Sequence, residues 1–335
     1  MTALLQHAVC PEGTWDVALA RPGPALSPGV RLYRGVRFAT GVVRRRLEVP
    51  GPWVTLVLGF GPPMRLISPG RVPGAPATEL LLASSVSGLQ TRPTIGEHGG
   101  HLAALEVVLT PYAAHRLLGV DMGALANRHL DLADVAGVRA ARLGDALAEL
   151  PGWPQRFALL DRELARWMEA GPEPAPPLLW AWRRLAESGG LLAVSRLAAE
   201  TGWSVRQLEN RFNEQAGMPP KAVARVMRLN RAMRMLAAGS LSPAEVAIAC
   251  GFSDQPHLCR DFKVMTGATP REFFAARLTG PGGPAEPPVA DRIAGQVTSA
   301  PAGSRGGASA YSSKTARRAP REDLVAAGRN PAPGT

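Results

Sequence analysis

Between Leu191 and Leu278 one residue pattern is written twice. Leu197-Ala198-Ala199-Glu200-Thr201-Gly202-Trp203-Ser204 is followed by Leu208, Phe212, Gly217 and Pro220. Val246-Ala247-Ile248-Ala249-Cys250-Gly251-Phe252-Ser253 is followed by Leu258, Phe262, Gly267 and Pro270. The offset is 49 residues through the turn and 50 after it. Alanine, turn glycine, aromatic, serine, leucine, phenylalanine, glycine and proline recur in one order, so this stretch must fold the same supersecondary unit twice.

Each copy predicts a short helix, Val194–Glu200 and Pro243–Cys250, that ends at a glycine able to adopt positive φ. The aromatic after it plugs the corner before a second helix, which makes each copy a helix-turn-helix unit. Ser204 with Gln207, and Ser242 with Pro243 and Glu245, have the spacing of capping boxes. Leu208 with Phe212 and Leu258 with Phe262 lie four apart, one apolar stripe per second helix.

At about 100° per residue from those stripes, Asn210 and Arg260 point away from the core. Arg206, Gln207 and Asn213 flank the first, and Pro256, His257 and Lys263 the second. A single such face reads as ordinary solvated helix surface. Two matched faces carrying long donors meet what base edges and phosphates in a major groove require. Between the units, Pro219-Pro220 opens a segment to Ala238 that alternates apolar residues with Arg225, Arg228, Arg231 and Arg234 and predicts one continuous helix. Such a helix spans roughly 27 to 30 Å, close to the ~34 Å between successive major-groove faces on one side of a duplex.

Residues 191–278 resemble the DNA-binding domain of the AraC/XylS family of bacterial transcription regulators. The family's second-unit run, IA-x-x-x-GF-x-x-x-x-x-F-x-R-x-F-K-x-x-x-G-x-x-P-x-x-[FY], corresponds to Val246–Phe273, with Asn210 where the family commonly has Arg and Leu258 where an aromatic is frequent. The resemblance implies a seven-helix domain with base contacts at Arg206, Gln255, His257 and Arg260. Charge agrees: residues 178–278 hold 14 Arg or Lys against 8 Asp or Glu, a net +6 of the chain's +11, suited to a phosphate backbone.

The rest of the chain divides by composition into a leader (1–29), a sensor or self-association domain (30–170), a proline-rich linker (171–177) and, after the DNA-binding domain (178–278), a tail (279–335). Arg31–Phe38, Val42–Val49, Trp53–Phe60, Met64–Ser68, Glu79–Ser87 and Leu102–Thr110 read as strands of a small sandwich or cupin-like barrel. Tyr112–Leu118, Asp131–Ala136, Val138–Leu150 and Gln155–Ala170 read as helices. The expected class is therefore α+β, with an all-α second half and a disordered, inert tail. Val86-Ser87-Gly88-Leu89-Gln90, Leu109-Thr110-Pro111 and Leu118-Gly119-Val120 also resemble the partner domain of actinobacterial AraC-type regulators. An effector pocket would lie in the strand interior, with Trp53, Phe60 and Leu66 as candidate lining; no effector-binding residue is assigned.

Catalytic and metal chemistry find little support. His98, His101 and Glu106 sit in a glycine-broken stretch without the convergence a metal requires, and that stretch reads as a loop. Cys10, Cys250 and Cys259 form no C-x-x-C pair. The alternative of an alkyl-transfer or amidotransferase-like enzyme fused to the DNA-binding domain needs an activated cysteine, and Cys10 has no base beside it in sequence. No cofactor is implied. No apolar run approaches the roughly twenty residues that cross a bilayer and no basic signal region opens the chain, so a cytoplasmic protein is expected. Candidate partners are double-stranded promoter DNA, RNA polymerase, a small-molecule effector and a second copy of the chain.

Overall fold

The computed structural model describes residues 3–10, 13–70, 75–279, 292–293, 296–297 and 299–301. Eleven strands and four helices build the amino-terminal half. The strands are β1 (Ala3–Cys10), β2 (Gly13–Ala20), β3 (Val30–Ala39), β4 (Arg44–Glu48), β5 (Val54–Gly59), β6 (Met64–Ser68), β7 (Thr78–Leu82), β8 (Ser85–Ser87), β9 (Thr94–His98), β10 (His101–Leu109) and β11 (His129–Asp131). The helices are α1 (Pro111–Leu118), α2 (Leu132–Ala136), α3 (Val138–Ala148) and α4 (Trp153–Glu169).

All strand pairs are antiparallel. One sheet runs β1-β2-β3-β10-β5-β8-β11, and β4-β9-β6-β7 form the second. Strand periodicity assigns the two faces of the larger sheet. Val54, Leu56 and Leu58 of β5 are buried in the main core, with Leu105, Val107 and Tyr33, against Phe157, Leu160 and Leu164 of α4. The alternate residues Thr55 and Val57 face the other way, into a cavity closed by the second sheet.

The leader is corrected: β1 and β2 lie within it, β1 pairing with β2 and β2 with β3, so that both belong to the larger sheet. Trp15, Val17 and Leu19 of β2 alternate with Asp16 and Ala18, and Trp15 and Val17 are buried with Phe38. The strand expected over Glu79–Ser87 is two, β7 and β8, which pair in different sheets. The loop expected at 97–101 is a tight turn that carries the chain from one sheet to the other: β9 ends at His98 in the second sheet and β10 begins at His101 in the larger one, with Gly100 between them at φ +90°.

Among the described residues seven helices follow: α5 (Pro176–Glu187), α6 (Val194–Thr201), α7 (Val205–Ala216), α8 (Pro220–Ala238), α9 (Pro243–Ala249), α10 (Gln255–Thr266) and α11 (Pro270–Thr279). Pro176 and Pro177 belong to the first turn of α5, where a missing N–H costs nothing, so the extended spacer is shorter than its proline run. Most of the tail lies outside the described residues. Within it, β12 (Arg292–Ile293) pairs with β13 (Gln296–Val297), and β14 (Ser299–Pro301) pairs with β4, correcting the expectation of a wholly unstructured tail for these segments. The open backbone edge of β4 accepts another strand. Among the described residues no helix is long and apolar enough to cross a membrane.

Candidate nucleic-acid interface

The two helix-turn-helix units are α6–α7 and α9–α10, joined by the 19-residue α8. Local chemistry sets every boundary. Gly202, at φ +70°, ends α6 in the left-handed conformation. Ser204 then opens α7 with a complete capping box: its Oγ accepts from the Gln207 N–H while Gln207 Oε1 accepts from the Ser204 N–H at 2.9 Å. Ser242 and Glu245 form the same box at α9. The Ser242 N–H holds the Glu245 carboxyl below the usual carboxylate range.

The step from 49 to 50 in the repeat has a physical cause. In the first unit one residue, Trp203, separates the turn glycine from the N-cap; in the second, Phe252 and Ser253 stand between Gly251 and the N-cap Asp254. Asp254 Oδ1 accepts from the His257 N–H at 2.6 Å. Sequence reading missed this cap, although an aspartate one residue before a helix that carries proline in its first turn is a recognisable start signal.

The apolar stripes lie inside. Leu208 and Phe212 are fully buried with Leu197, Trp182 and Val223; Leu258 and Phe262 are equally buried beneath α8. Arg206, Gln207, Asn210 and Asn213 of α7, and Gln255, Pro256, Arg260 and Lys263 of α10, are exposed. His257 differs. It is half-buried, its ring edge-on to Phe252 at 5.3 Å and its Nδ1 3.0 Å from Ser253 Oγ. Gln207 also has its side-chain oxygen committed to the cap, which leaves Arg206, Asn210, Asn213, Gln255, Arg260 and Lys263 as the residues arrayed outward.

Two further contacts fix α8, one to α10 and one to the amino-terminal half. Arg225 of α8 donates twice to Asp261, each bond 2.8 Å, a bidentate clamp that raises the guanidinium pKa further. Asn230 of α8 is buried, and its Nδ2 donates to the Pro50 carbonyl at 2.9 Å and to the Val226 carbonyl at 3.0 Å. Both neighbours are acceptors, so the amide orientation is fixed. Its Oδ1 is buried without a hydrogen-bond partner.

The helix-turn-helix domain family matches residues 197–276. The HTH-type transcriptional regulator ArgR of Pseudomonas aeruginosa is 36% identical over 81 residues, 24% of this chain and 25% of that protein. A solved transcriptional regulator from Chromobacterium violaceum, described as of the AraC-type DNA-binding-domain group, is 33% identical over 31% of this chain and 95% of its own, with a TM-score of 0.29. The chain belongs to the AraC family. It spans about a quarter of the length of ArgR. ToxT from Vibrio cholerae aligns over 72% of this chain and 98% of its own at 9% identity and a TM-score of 0.41.

The remaining chemistry of this AraC-family chain lies between its sheets. A cavity of about 190 Å³ is walled by β3, β5, β8 and β10 on one side and β4, β6 and β9 on the other. Trp53 and Leu66 line it, whereas Phe60 packs on the main core beneath the Arg156 guanidinium. Arg34 and Glu106, both in the wall, pair with each other. His129 bridges Ser87 Oγ at 2.7 Å and Thr94 Oγ1 at 2.8 Å, and burial lowers its pKa to about 4, which keeps the ring neutral. Among the described residues no group of three His, Cys, Asp or Glu side chains could hold a metal ion.

Proposed function

We propose that this chain is a sequence-specific transcription regulator that reads two adjacent major-groove segments of promoter DNA, under the control of a small molecule held in its amino-terminal sandwich. The observation that carries the DNA reading is the doubled unit. Two capped recognition helices turn rows of donors outward, Arg206, Asn210 and Asn213 on one and Gln255, Arg260 and Lys263 on the other. A 19-residue helix, about 28 Å at 1.5 Å per residue, connects them. The shortfall against the groove repeat is met by bending the DNA.

The inter-sheet cavity supports the sensor reading. Its walls are largely apolar, from Val36, Phe38, Val57, Leu66 and Leu102, and its wall ion pair and neutral His129 are already partnered. That chemistry suits a compact molecule of low charge. An enzyme fused to the DNA-binding domain is the weaker reading, since it needs an activated cysteine and the amino-terminal thiol, Cys10, has no base beside it in sequence. Such a regulator acts in the bacterial cytoplasm, on the nucleoid when bound. Selection of duplexes from a random pool by the full chain tests the reading: one enriched motif with two half-sites and a steep salt dependence are expected. Equal, weak retention of all sequences would overturn it.

A further inference from the structure

Two short segments of the cavity wall each present alternate residues to opposite sides. In the first, Arg46, Glu48 and Gly51 line the cavity, while Leu47 packs on the second unit's core and Val49, which also reaches the cavity, is buried there among Val226, Leu229, Met233, Phe262 and Phe273. The backbone continues the link. The Trp53 ring, part of the cavity wall, lies so close over Gly51 that a Cβ there would meet it at 2.0 Å, and the neighbouring Pro50 carbonyl accepts from Asn230 of α8.

In the second segment, Gly88 and Gln90 line the cavity and Leu89 between them is buried in the first unit's core with Leu178, Trp182 and Phe212. This segment is clasped from behind. The Leu89 carbonyl accepts from the Asn127 N–H at 2.8 Å, and Gln90 Nε2 donates to the carbonyls of Gly88 and Arg128. Gly88 allows the approach, since a Cβ there would stand 2.1 Å from the Leu125 carbonyl oxygen.

The cavity thus has one plug in each helix-turn-helix core. We propose that its occupancy sets the placement of the two recognition units relative to each other, by displacing Leu89 in the first and Val49 in the second. This rests on the reading of the cavity as a ligand site and of the units as DNA readers. Interiors pack too densely to absorb a change in wall position locally, so a shift at 46–53 or 88–90 is passed to the side chains seated beyond it. An apolar ligand then controls the half-site spacing the protein accepts, while each unit's own base contacts stay unchanged.

A cavity-filling substitution replaces the unknown ligand. Gly96 faces the cavity from β9, and a Cβ there meets only Met64 Sδ at 3.5 Å, so Gly96→Leu extends into open space; Gly96→Ala is the milder version should Leu prevent folding. Affinity of the full chain is measured for duplexes carrying the selected half-sites singly and paired at a series of spacings. Gly96→Leu is expected to change affinity for the paired duplexes at least fivefold, or to move the preferred spacing, with single half-site affinities held within twofold. Adding Leu89→Ala or Val49→Ala should reduce that effect below twofold. Asn230→Leu cuts the Pro50 link and serves where Val49→Ala unfolds the second unit. Purely additive effects, or equal changes at single and paired sites, would overturn the proposal while leaving DNA reading intact. Failure of the unmodified chain to enrich any sequence would instead remove the reading beneath it.

Discussion

At the scale of single residues, the outward rows divide by what each side chain has left to offer. Arg260 is exposed, and no ion pair ties it to a neighbouring carboxylate among the described residues, whereas Arg211 beside Asn210 is held by Glu214 at 2.8 Å. Arg260→Ala should therefore cost about 1 to 3 kcal/mol on the selected site and relax preference at one base pair, measured by titrating single-base variants. Lys263→Ala should weaken all sequences alike and lower the salt slope by about one; a base-selective effect there would reverse the assignment. In the sensor half, His129 is the residue with a pH consequence. Its folded pKa, about 4, lies below the ordinary value of 6.5. The unfolded chain therefore takes up a proton that the folded chain refuses, and stability falls as pH drops from about 6.5 toward 4, by about 3 kcal/mol in all. Thermal unfolding from pH 7 to 4.5 should show this loss, and His129→Gln, which cannot titrate, should flatten it. An unchanged slope in the variant would place the loss elsewhere.

At the scale of elements, the most legible parts were those whose ends are written in local chemistry. α8 runs Pro220–Ala238 as its proline start and alternating pattern require, and both serine capping boxes form. The strands with strong apolar alternation, β3, β5, β6 and β10, lie where their pattern put them. What stayed hidden is physical in origin. β1 pairs with long register but leaves Leu4, Leu5 and Val9 exposed, and β9 carries Gly96 because one face lines a cavity rather than a core. The wall of a cavity lacks the hydrophobic signature that marks a strand against a solid core. The clamp from Arg225 to Asp261, and the plugs Leu89 and Val49, were invisible because they join residues far apart in the chain. Asp261→Asn, which breaks the charge pair between α8 and α10, should cost about 1 kcal/mol of stability and weaken binding at the second half-site more than at the first. Equal loss at both half-sites would show that the clamp does not act on α10 alone.

For the whole molecule, the described residues form a core between the large sheet and its helices, one core in the first helix-turn-helix unit, two in the second, and a small cluster of Trp15, Val17 and Phe38. The cavity touches one core of each unit through single residues, and α8 spans between those cores as a rigid strut. A helix does not stretch, so its length bounds the separation of the two grooves that can be read at once, and the seating of each unit on the cavity wall adjusts the preferred spacing only within that bound. The decisive measurement is affinity of the full chain for its selected duplex after inserting 5 or 10 base pairs between the half-sites. The strut predicts that both insertions reduce affinity to that of a single half-site, since 5 base pairs turn the second groove away and 10 carry it beyond reach. Undiminished binding to either inserted duplex would contradict two units whose separation is bounded by the length of α8.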